Sequence, residues 1–254
     1  MTAMLWRSST LLGSGIRAMD GSIGSVSDLL FEDTSWAVRW VVVDTGTWLS
    51  GRKVLLPPSS LGRLELEPQE FAVELSRRQV EESPEVDFDA PVSRQLETRV
   101  YSHYGWGPYW EYPPLMPVGV AGVAPLPLAD EVQQRPERRD EPTGDPHLRS
   151  VTEVTGYYVH ATDGDIGHVE EVLVEQERWA IRYVMVDTRN WWPGRKVLVA
   201  AGSVGDIDWS AQKISVDLTR DQVKSSPEYD PAAALERRDE ERLNAHYGLT
   251  PYWT

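Results

Sequence analysis

Two His-Tyr-Gly segments contain the side chains best suited to acid–base chemistry, His103 and His246. Imidazole exchanges protons near neutral pH, so a hydrolytic site on either histidine is one possible function. A catalytic triad also requires a nucleophile in a motif context, and neither histidine has one. Both histidines are predicted to lie in the last turn of a helix, where the helix dipole favours a cation. We therefore expect each histidine either to pack against a neighbouring element or to cap its own helix.

A second group of residues has side chains that can bind a metal ion, and it occurs only in the later part of the chain. Its members are His160, Asp163, Asp165 and His168, and the equivalent earlier positions are occupied by Arg17, Asp20, Ser22 and Ser25. The segment Asp-Gly-Asp-Ile-Gly lacks the third acid and the final glutamate of an EF-hand loop. We expect no metal and no cofactor here, and the Asp-Gly pair is typical of a hairpin turn.

Two Asp-Thr pairs, Asp44-Thr45 and Asp187-Thr188, follow strongly apolar segments. Aspartate at the end of a strand usually accepts hydrogen bonds from its own turn. Acid–base chemistry would need paired carboxyl groups whose surroundings separate their pKa values. We expect turn residues rather than catalytic ones.

Basic residues beside tryptophans form the best candidate interaction surface. The members are Trp48, Arg52 and Lys53, and later in the chain Trp191, Trp192, Arg195 and Lys196. Cationic and aromatic side chains together are common at interfaces. On a chain with a net charge of -15 they could contact an acidic or aromatic partner. The alternative is a solvated loop whose tryptophans belong to the core.

The composition limits the function further. The 254 residues have an isoelectric point near 4.8 and include no cysteine, which excludes disulfides and thiolate nucleophiles. Nucleic acids require a basic surface, and an acidic chain is repelled by anionic membranes. The longest apolar stretch, 118–129, is shorter than the roughly 20 residues of a membrane helix. The N-terminus resembles no signal peptide. We expect a soluble, cytoplasmic protein.

An internal repeat determines the predicted organisation. Asp20-Gly21-Ser22-Ile23-Gly24 recurs as Asp163-Gly164-Asp165-Ile166-Gly167, and all other matched segments keep this offset of 143 residues, the difference between positions 20 and 163. We predict one repeat over 10–110, a proline-rich charged linker over 111–150, and a second repeat over 151–254.

Each repeat is predicted to be mainly β. Short runs of β-prone residues separated by turns indicate a small barrel. The predicted strands are 23–30, 37–44, 54–56, 64–66 and 70–75, with counterparts 166–174, 180–187, 197–199, 207–209 and 213–218. Capping boxes at Ser76 and Thr219 predict short helices. Ser83-Pro84 and Ser226-Pro227 predict further helix starts.

A longer helix is predicted from Pro91 to Tyr104, because Val92, Leu96 and Val100 recur at a spacing of four. Its counterpart places Leu235, Asp239, Leu243 and Tyr247 on one stripe. Gly105 and Gly248 are typical helix-ending residues.

The ordered motifs resemble the PRC-barrel family over about 16–88 and 159–231. The similarity rests on Asp-Gly-x-Ile-Gly, the strand Trp-Ala-Ile-Arg-Tyr-Val-Met-Val-Asp-Thr, Gly-Arg-Lys-Val-Leu, and Leu-Thr-Arg-Asp-Gln-Val-Lys-Ser-Ser-Pro-Glu-Tyr-Asp. The resemblance implies two tandem small β-barrels, each followed by short helices, that serve in docking and assembly. The family includes the cytoplasmic barrel of the photosynthetic reaction-centre H subunit and the C-terminal barrel of RimM. We expect no counterpart of the H subunit's membrane helix or of RimM's RNA-facing domain.

We therefore predict a non-enzymatic module for protein interaction or assembly, with an unidentified protein partner. Each repeat is expected to close around its own core, and the two barrels could pair about a pseudo-twofold axis or form a homodimer. Two alternatives stay open. One is an accessory to photosynthetic electron transfer, and the other is a ligand-binding or hydrolytic barrel that uses His103 and His246.

Overall fold

A computed structural model describes residues 4–86, 92, 94–111, 148–188 and 195–253. We call 4–111 the first half and 148–253 the second half. The fold is mainly β, with two sheets of seven strands each.

The strands of the first half are Leu5–Arg7 (β1), Gly15–Ala18 (β2), Gly21–Glu32 (β3), Val38–Asp44 (β4), Lys53–Leu56 (β5), Leu61–Leu66 (β6) and Gln69–Val73 (β7). Those of the second half are Leu148–Ser150 (β8), Tyr158–Ala161 (β9), Gly164–Glu175 (β10), Ala180–Asp187 (β11), Lys196–Ala200 (β12), Val204–Asp208 (β13) and Lys213–Val216 (β14).

The α-helices are Ser8–Leu11 (α1), Arg77–Glu81 (α2), Arg94–Tyr104 (α3), Val151–Val154 (α4), Arg220–Lys224 (α5) and Arg237–Tyr247 (α6). The prediction of a mainly β fold with short helices after each set of strands is confirmed. No helix in the described ranges combines the length and the apolar character that crossing a membrane requires.

The strand order is the same in both sheets. It runs β5-β4-β3-β2-β7-β6 in the first sheet and β12-β11-β10-β9-β14-β13 in the second. The two end strands of each order follow each other in the chain and are joined by a 3-10 turn, Pro58–Ser60 or Ala201–Ser203. Within the described residues the hydrogen-bonded ladder does not close between these end strands. Closed barrels therefore stay a prediction.

Strand β4 is apolar from Trp40 to Val43, on both of its faces, because both faces are covered there. Val41 and Val43 belong to the large interior cluster, whereas Trp40 and Val42 belong to a second cluster on the other face. The side chains of α3 pack on that second cluster, with Leu96, Val100 and Tyr101 buried there. The predicted apolar stripe of this helix is confirmed.

A close backbone approach explains the second glycine of the repeated Asp-Gly-x-Ile-Gly motif. Gly24 and Gly167 have φ angles of 143° and 142°. A Cβ atom at either position would lie 2.0 Å from the carbonyl oxygen of Asp44 or Asp187. Only glycine fits where the long strand passes the end of its neighbour this closely.

The first strand of each half belongs to the sheet of the other half. Strand β1 pairs antiparallel with β10, so that Leu5 lies opposite Glu175. Strand β8 pairs antiparallel with β3, so that Leu148 lies opposite Glu32. The predicted boundaries missed both strands, since 148–150 falls in the predicted linker and 5–7 precedes the first predicted repeat.

The two halves also share one interior. A single cluster of buried residues includes Leu29 and Phe71 of the first half and Ile166 and Val199 of the second half. The buried residues of the two halves are therefore in contact with each other. Most of the linker, residues 112–147, lies outside the described residues.

Two tryptophans mark the contact between the halves. Trp179 O accepts a hydrogen bond from Val38 N at 2.7 Å, and Trp36 O accepts one from Ile181 N at 2.8 Å. Both tryptophans have left-handed φ angles, 59° for Trp36 and 48° for Trp179. This conformation is unfavourable for a bulky residue. It is retained because each carbonyl then reaches the opposite half, and Trp179 packs on Phe71 with 5.8 Å between the ring centroids.

Candidate functional site

Arg52 of the predicted interaction surface holds the end of helix α2. Its guanidinium donates to the carbonyl of Glu81 at 2.9 Å and to the carbonyl of Ser83. The Glu81 carbonyl ends helix α2, where a cation is favoured, and the Ser83 carbonyl lies two residues beyond that helix. The chain around Ser83-Pro84 is not helical, so the helix start predicted there is wrong. The carbonyl of this serine is instead a hydrogen-bond acceptor for Arg52.

Trp48 lies on the same loop as Arg52, and Lys53 begins strand β5 directly after this loop. Trp48 is half-buried, and the guanidinium of Arg77 stacks on its ring at 4.5 Å from the centroid. Lys53 is exposed. The loop is closed where Thr45 donates through N and Oγ1 to Arg52 O, at 3.1 and 2.6 Å. This firmly held loop therefore carries a half-buried tryptophan that packs against the interior cluster, and an exposed cation follows at the start of β5.

The equivalent loop of the second half shows the same anchoring. Arg195 donates to the carbonyl of Ser226 at 2.6 Å, and Thr188 Oγ1 donates to Arg195 O at 2.7 Å. Lys196 is ion-paired with Glu170. The two tryptophans predicted for this surface, Trp191 and Trp192, lie outside the described residues.

Both histidines contact a neighbouring helix rather than a nucleophile. His103 Nε2 lies 2.7 Å from Gln79 O, and His246 Nε2 lies 2.7 Å from Gln222 O. Each ring also packs edge-on against the following tyrosine, with 4.7 Å between the centroids in the first half. Each imidazole thus connects the C-terminal helix of its half to the short helix beside it.

The aspartates of the two hairpin turns cap helices. Asp20 Oδ1 accepts from Arg77 N at 2.7 Å, and Asp163 Oδ1 accepts from Arg220 N at the same distance. In the second half, His160 and Asp165 form a separate pair with 2.6 Å between Nδ1 and Oδ1. The described residues contain no cluster of three or more potential metal ligands.

Asp44 serves the turn that follows its strand. Its Oδ1 accepts from Gly46 N at 2.8 Å, which agrees with the predicted turn role.

A pair of buried glutamates was missed by the sequence reasoning. Glu97 and Glu240 occupy equivalent positions in α3 and α6, and both are 0% exposed. The sequence did contain a signal for this pair, because both equivalent positions of the repeat are occupied by glutamate. The spacing of the apolar stripe alone does not show that an acid adjoins it.

In the first half, Glu97 accepts hydrogen bonds from two aromatic side chains. Trp40 Nε1 donates to Glu97 Oε1 at 2.6 Å, and Tyr109 Oη donates to the same oxygen at 3.3 Å. Arg94 lies 3.1 Å from the other oxygen. The guanidinium of Arg94 also stacks on Trp110. We call these five residues the first glutamate cluster.

The second glutamate cluster consists of Tyr183, Arg237, Glu240, Tyr252 and Trp253. Tyr252 and Tyr183 donate to Glu240 Oε2 at 2.9 and 3.2 Å. Burial raises the pKa of Glu240, while hydrogen bonds from Tyr252 and Tyr183 and the charge of Arg237 act in the opposite direction. In each cluster the tyrosine of a Tyr-Trp tail and a residue of a central strand, β4 or β11, donate to the same glutamate.

Comparison with known proteins gives little further information. No family model matches the chain. An uncharacterised protein of Deinococcus radiodurans is 39% identical over 93 residues, which make up 35% of this chain and 33% of that relative. The aligned region thus spans about a third of the relative's length, and this similarity transfers no function.

Proposed function

We propose that this chain is a non-catalytic protein-interaction module of the PRC-barrel type, located in the cytoplasm. Its contact surfaces are the loop 45–53 and the equivalent loop 188–196. The partner is a protein with acidic or aromatic groups at its contact surface. The two halves act as a pseudo-twofold pair that presents both loops from one chain.

The main support for a binding role is that the side chains best suited to catalysis have structural roles in this fold. His103 and His246 contact backbone carbonyls of neighbouring helices, and Glu97 and Glu240 are sealed from solvent. The same arrangement occurs in both halves. Repeated structural use of these groups favours a binding role over catalysis.

The loop geometry supports the choice of surface. Trp48 presents a half-buried ring on a loop that two hydrogen bonds from Thr45 to Arg52 O keep closed. A fixed loop loses little conformational entropy when it binds. Lys53 supplies an exposed cation five residues after Trp48, on a chain of net charge -15. Two equivalent loops on one chain increase the apparent affinity for a partner that engages both.

The structure also determines which substitutions can test this proposal. Arg52 and Arg195 are unsuitable, because their loss would release the carbonyls that follow helices α2 and α5. The double variant Trp48→Ala/Lys53→Glu alters the surface and leaves those hydrogen bonds in place. Arg63→Glu is a matched control, since this exposed arginine on β6 lies on the same half and changes the charge equally.

The experiment is affinity capture from native lysate with the tagged full chain, quantified by mass spectrometry. We expect a stable partner with the wild type and with Arg63→Glu, and at least a tenfold loss with Trp48→Ala/Lys53→Glu. Equal capture by all three proteins would show that the loop is not the contact surface. Failure of the wild type to capture any partner would count against an interaction module.

A further inference from the structure

The side chain of Arg77, the first residue of helix α2, lies over two other elements. Its guanidinium stacks on the ring of Trp48, with Cζ 4.5 Å from the ring centroid. The side chain passes the hairpin turn at Gly21, where an added Cβ atom would lie 3.4 Å from Arg77 Cδ and 3.8 Å from Nη1. The backbone N–H of Arg77 donates to Asp20 of the same turn at 2.7 Å. Arg77 is thus held both at its backbone and along its side chain.

The guanidinium of Arg77 has no anionic partner among the residues that the structure describes. Its Nε is buried, whereas neither Nη1 nor Nη2 is sealed from solvent or hydrogen-bonded within the described ranges. Other arginines of the first half do have carboxylate partners. Arg17 pairs with Glu70, and Arg78, the next residue after Arg77, pairs with Glu82. Arg77 therefore keeps two donor groups available on a chain that has 40 acidic and 25 basic residues.

Stacking covers the face of a guanidinium and leaves its edge available. The N–H groups of arginine lie in the plane of the group, so a ring against one face does not block them. Two neighbouring N–H groups match the two oxygens of a carboxylate, and such charge-assisted pairs are stronger than neutral hydrogen bonds. Because Trp48 fixes the guanidinium, little side-chain entropy remains to be lost on binding.

The contacts of Trp48 make it a support for this arginine. Arg77 covers part of the ring, and the ring also packs against the interior cluster. The tryptophan is half-buried as a result. Its main contribution at the surface is therefore to position Arg77, and an acidic partner group fits this place better than an aromatic one.

We propose that Arg77, positioned by Trp48, binds a carboxylate of the protein partner, supplied by aspartate or glutamate in an acidic segment. This inference rests on the proposed interaction function and specifies which partner group meets this surface.

The second half has the same framework. Arg220 passes Gly164, where an added Cβ atom would lie 3.3 Å from Arg220 Cδ. Asp163 accepts a hydrogen bond from Arg220 N at 2.7 Å, as Asp20 does from Arg77. Both repeats thus place an arginine across their hairpin turn.

The test is fluorescence polarisation of a labelled hexaglutamate peptide titrated with the purified full chain at constant ionic strength. Hexaglutamine is the uncharged control. The long-range field of a chain of net charge -15 repels hexaglutamate, so binding requires a local cation. We expect saturable binding of hexaglutamate and at least tenfold weaker binding of hexaglutamine. Absence of saturable hexaglutamate binding, or equal binding of the two peptides, would overturn the proposal.

Three variants locate the contact. Arg77→Gln should weaken hexaglutamate binding about tenfold, as expected for the loss of hydrogen bonds to a charged group. Arg78→Gln changes the net charge equally at the neighbouring ion-paired position and should change the affinity less than twofold. Arg77→Lys keeps the charge but loses the planar pair of donors, and should weaken binding at least fivefold. Equal effects of Arg77→Gln and Arg78→Gln, or full binding by Arg77→Lys, would contradict the assignment.

These outcomes separate the carboxylate contact from the interaction module itself. If capture from lysate depends on Trp48 and Lys53 while hexaglutamate binding does not depend on Arg77, the module is supported and this inference fails. If hexaglutamate binds through Arg77 but no partner is captured, the carboxylate contact is supported and the module is not. Binding of inorganic phosphate through Arg77, with none of hexaglutamate, would assign a small anion to this place and overturn the proposal.

Discussion

The carboxylate of Asp28 accepts hydrogen bonds from Thr152 through both its backbone N–H and its hydroxyl, at 3.0 and 2.9 Å. These two residues belong to different halves of the chain. The relationship is reciprocal, because the equivalent Glu171 accepts from the N–H and hydroxyl of Ser9 at 3.4 and 2.7 Å. In each case an acid of one half satisfies the N-terminus of a short helix from the other half.

We expect Asp28→Ala to lower the free energy of unfolding by about 2 kcal/mol, since it removes several hydrogen bonds to a carboxylate. Urea denaturation measures this loss. Amide exchange should also accelerate over 148–154. Asp206→Ala, an exposed acid on β13, is the control and should change stability by less than about 0.5 kcal/mol. Equal stability of the two variants would mean that the contact between the halves is unimportant.

The neighbouring Arg52 and Lys53 should differ sharply in their contribution to stability. We expect Arg52→Ala to cost about 2 kcal/mol, because the carbonyls of Glu81 and Ser83 lose a charged donor. Lys53→Ala should lie within about 0.5 kcal/mol of the wild type, because the residue is exposed. Thermal and urea unfolding of both variants provide the comparison. A large effect of Lys53→Ala with none of Arg52→Ala would reverse our assignment of their roles.

The sequence predicted the long strands well, because their residues carry local signals. Strand 180–187 was predicted with the bounds that the structure has, and both capping boxes at Ser76 and Thr219 are present. The exchanged strands carry no such signal. Leu5–Arg7 and Leu148–Ser150 have three residues each, and their pairing is determined by a partner strand far away in the sequence. The pattern of one segment therefore cannot reveal which sheet it joins.

The first glutamate cluster should be sensitive to the loss of its indole donor. We expect Trp40→Phe to lower the free energy of unfolding by about 3 kcal/mol, because it leaves a small void and deprives a buried carboxyl of a hydrogen bond. At the equivalent position, Tyr183→Phe should cost about 1 kcal/mol, because Tyr252 still donates to Glu240. Urea denaturation at pH 7 compares the two variants. A larger loss for Tyr183→Phe would contradict this ranking.

The second cluster should make stability depend on pH. Burial raises the pKa of Glu240 above its ordinary value of 4.5, so the native state holds this proton more tightly than the unfolded chain. Stability from this group is complete below pH 4.5 and is lost as the pH rises through the raised native pKa. Glu240→Gln removes this dependence.

Urea denaturation from pH 4 to pH 8 tests this relationship. The stability of the wild type relative to Glu240→Gln should fall across this range and then level off. Glu241→Gln, on the exposed side of the same helix, should parallel the wild type. A wild type that gains stability relative to Glu240→Gln with rising pH would contradict the assigned direction.

The chemistry of the candidate groups was harder to predict than the strands. The turn role of Asp44 followed from residue type and position, and Gly46 N confirms it. The role of Arg52 as a hydrogen-bond donor to backbone carbonyls could not be predicted from its neighbours in the sequence. The carbonyls it binds lie about thirty residues further along the chain. Burial of Glu97 likewise depends on Trp40 and Tyr109, which two other elements supply.

Cysteine cross-linking tests the exchange of strands between the halves most directly. The chain has no cysteine of its own, so any disulfide that forms must join the two engineered cysteines. Leu5 lies opposite Glu175 in the exchanged arrangement, and facing residues of antiparallel strands are within disulfide range. If each first strand instead joined the sheet of its own half, Leu5 would face Glu32, the equivalent of Glu175. We predict that monomeric Leu5→Cys/Glu175→Cys oxidises to an intramolecular disulfide while Leu5→Cys/Glu32→Cys stays reduced. The opposite pattern would contradict the exchanged fold on which this account depends.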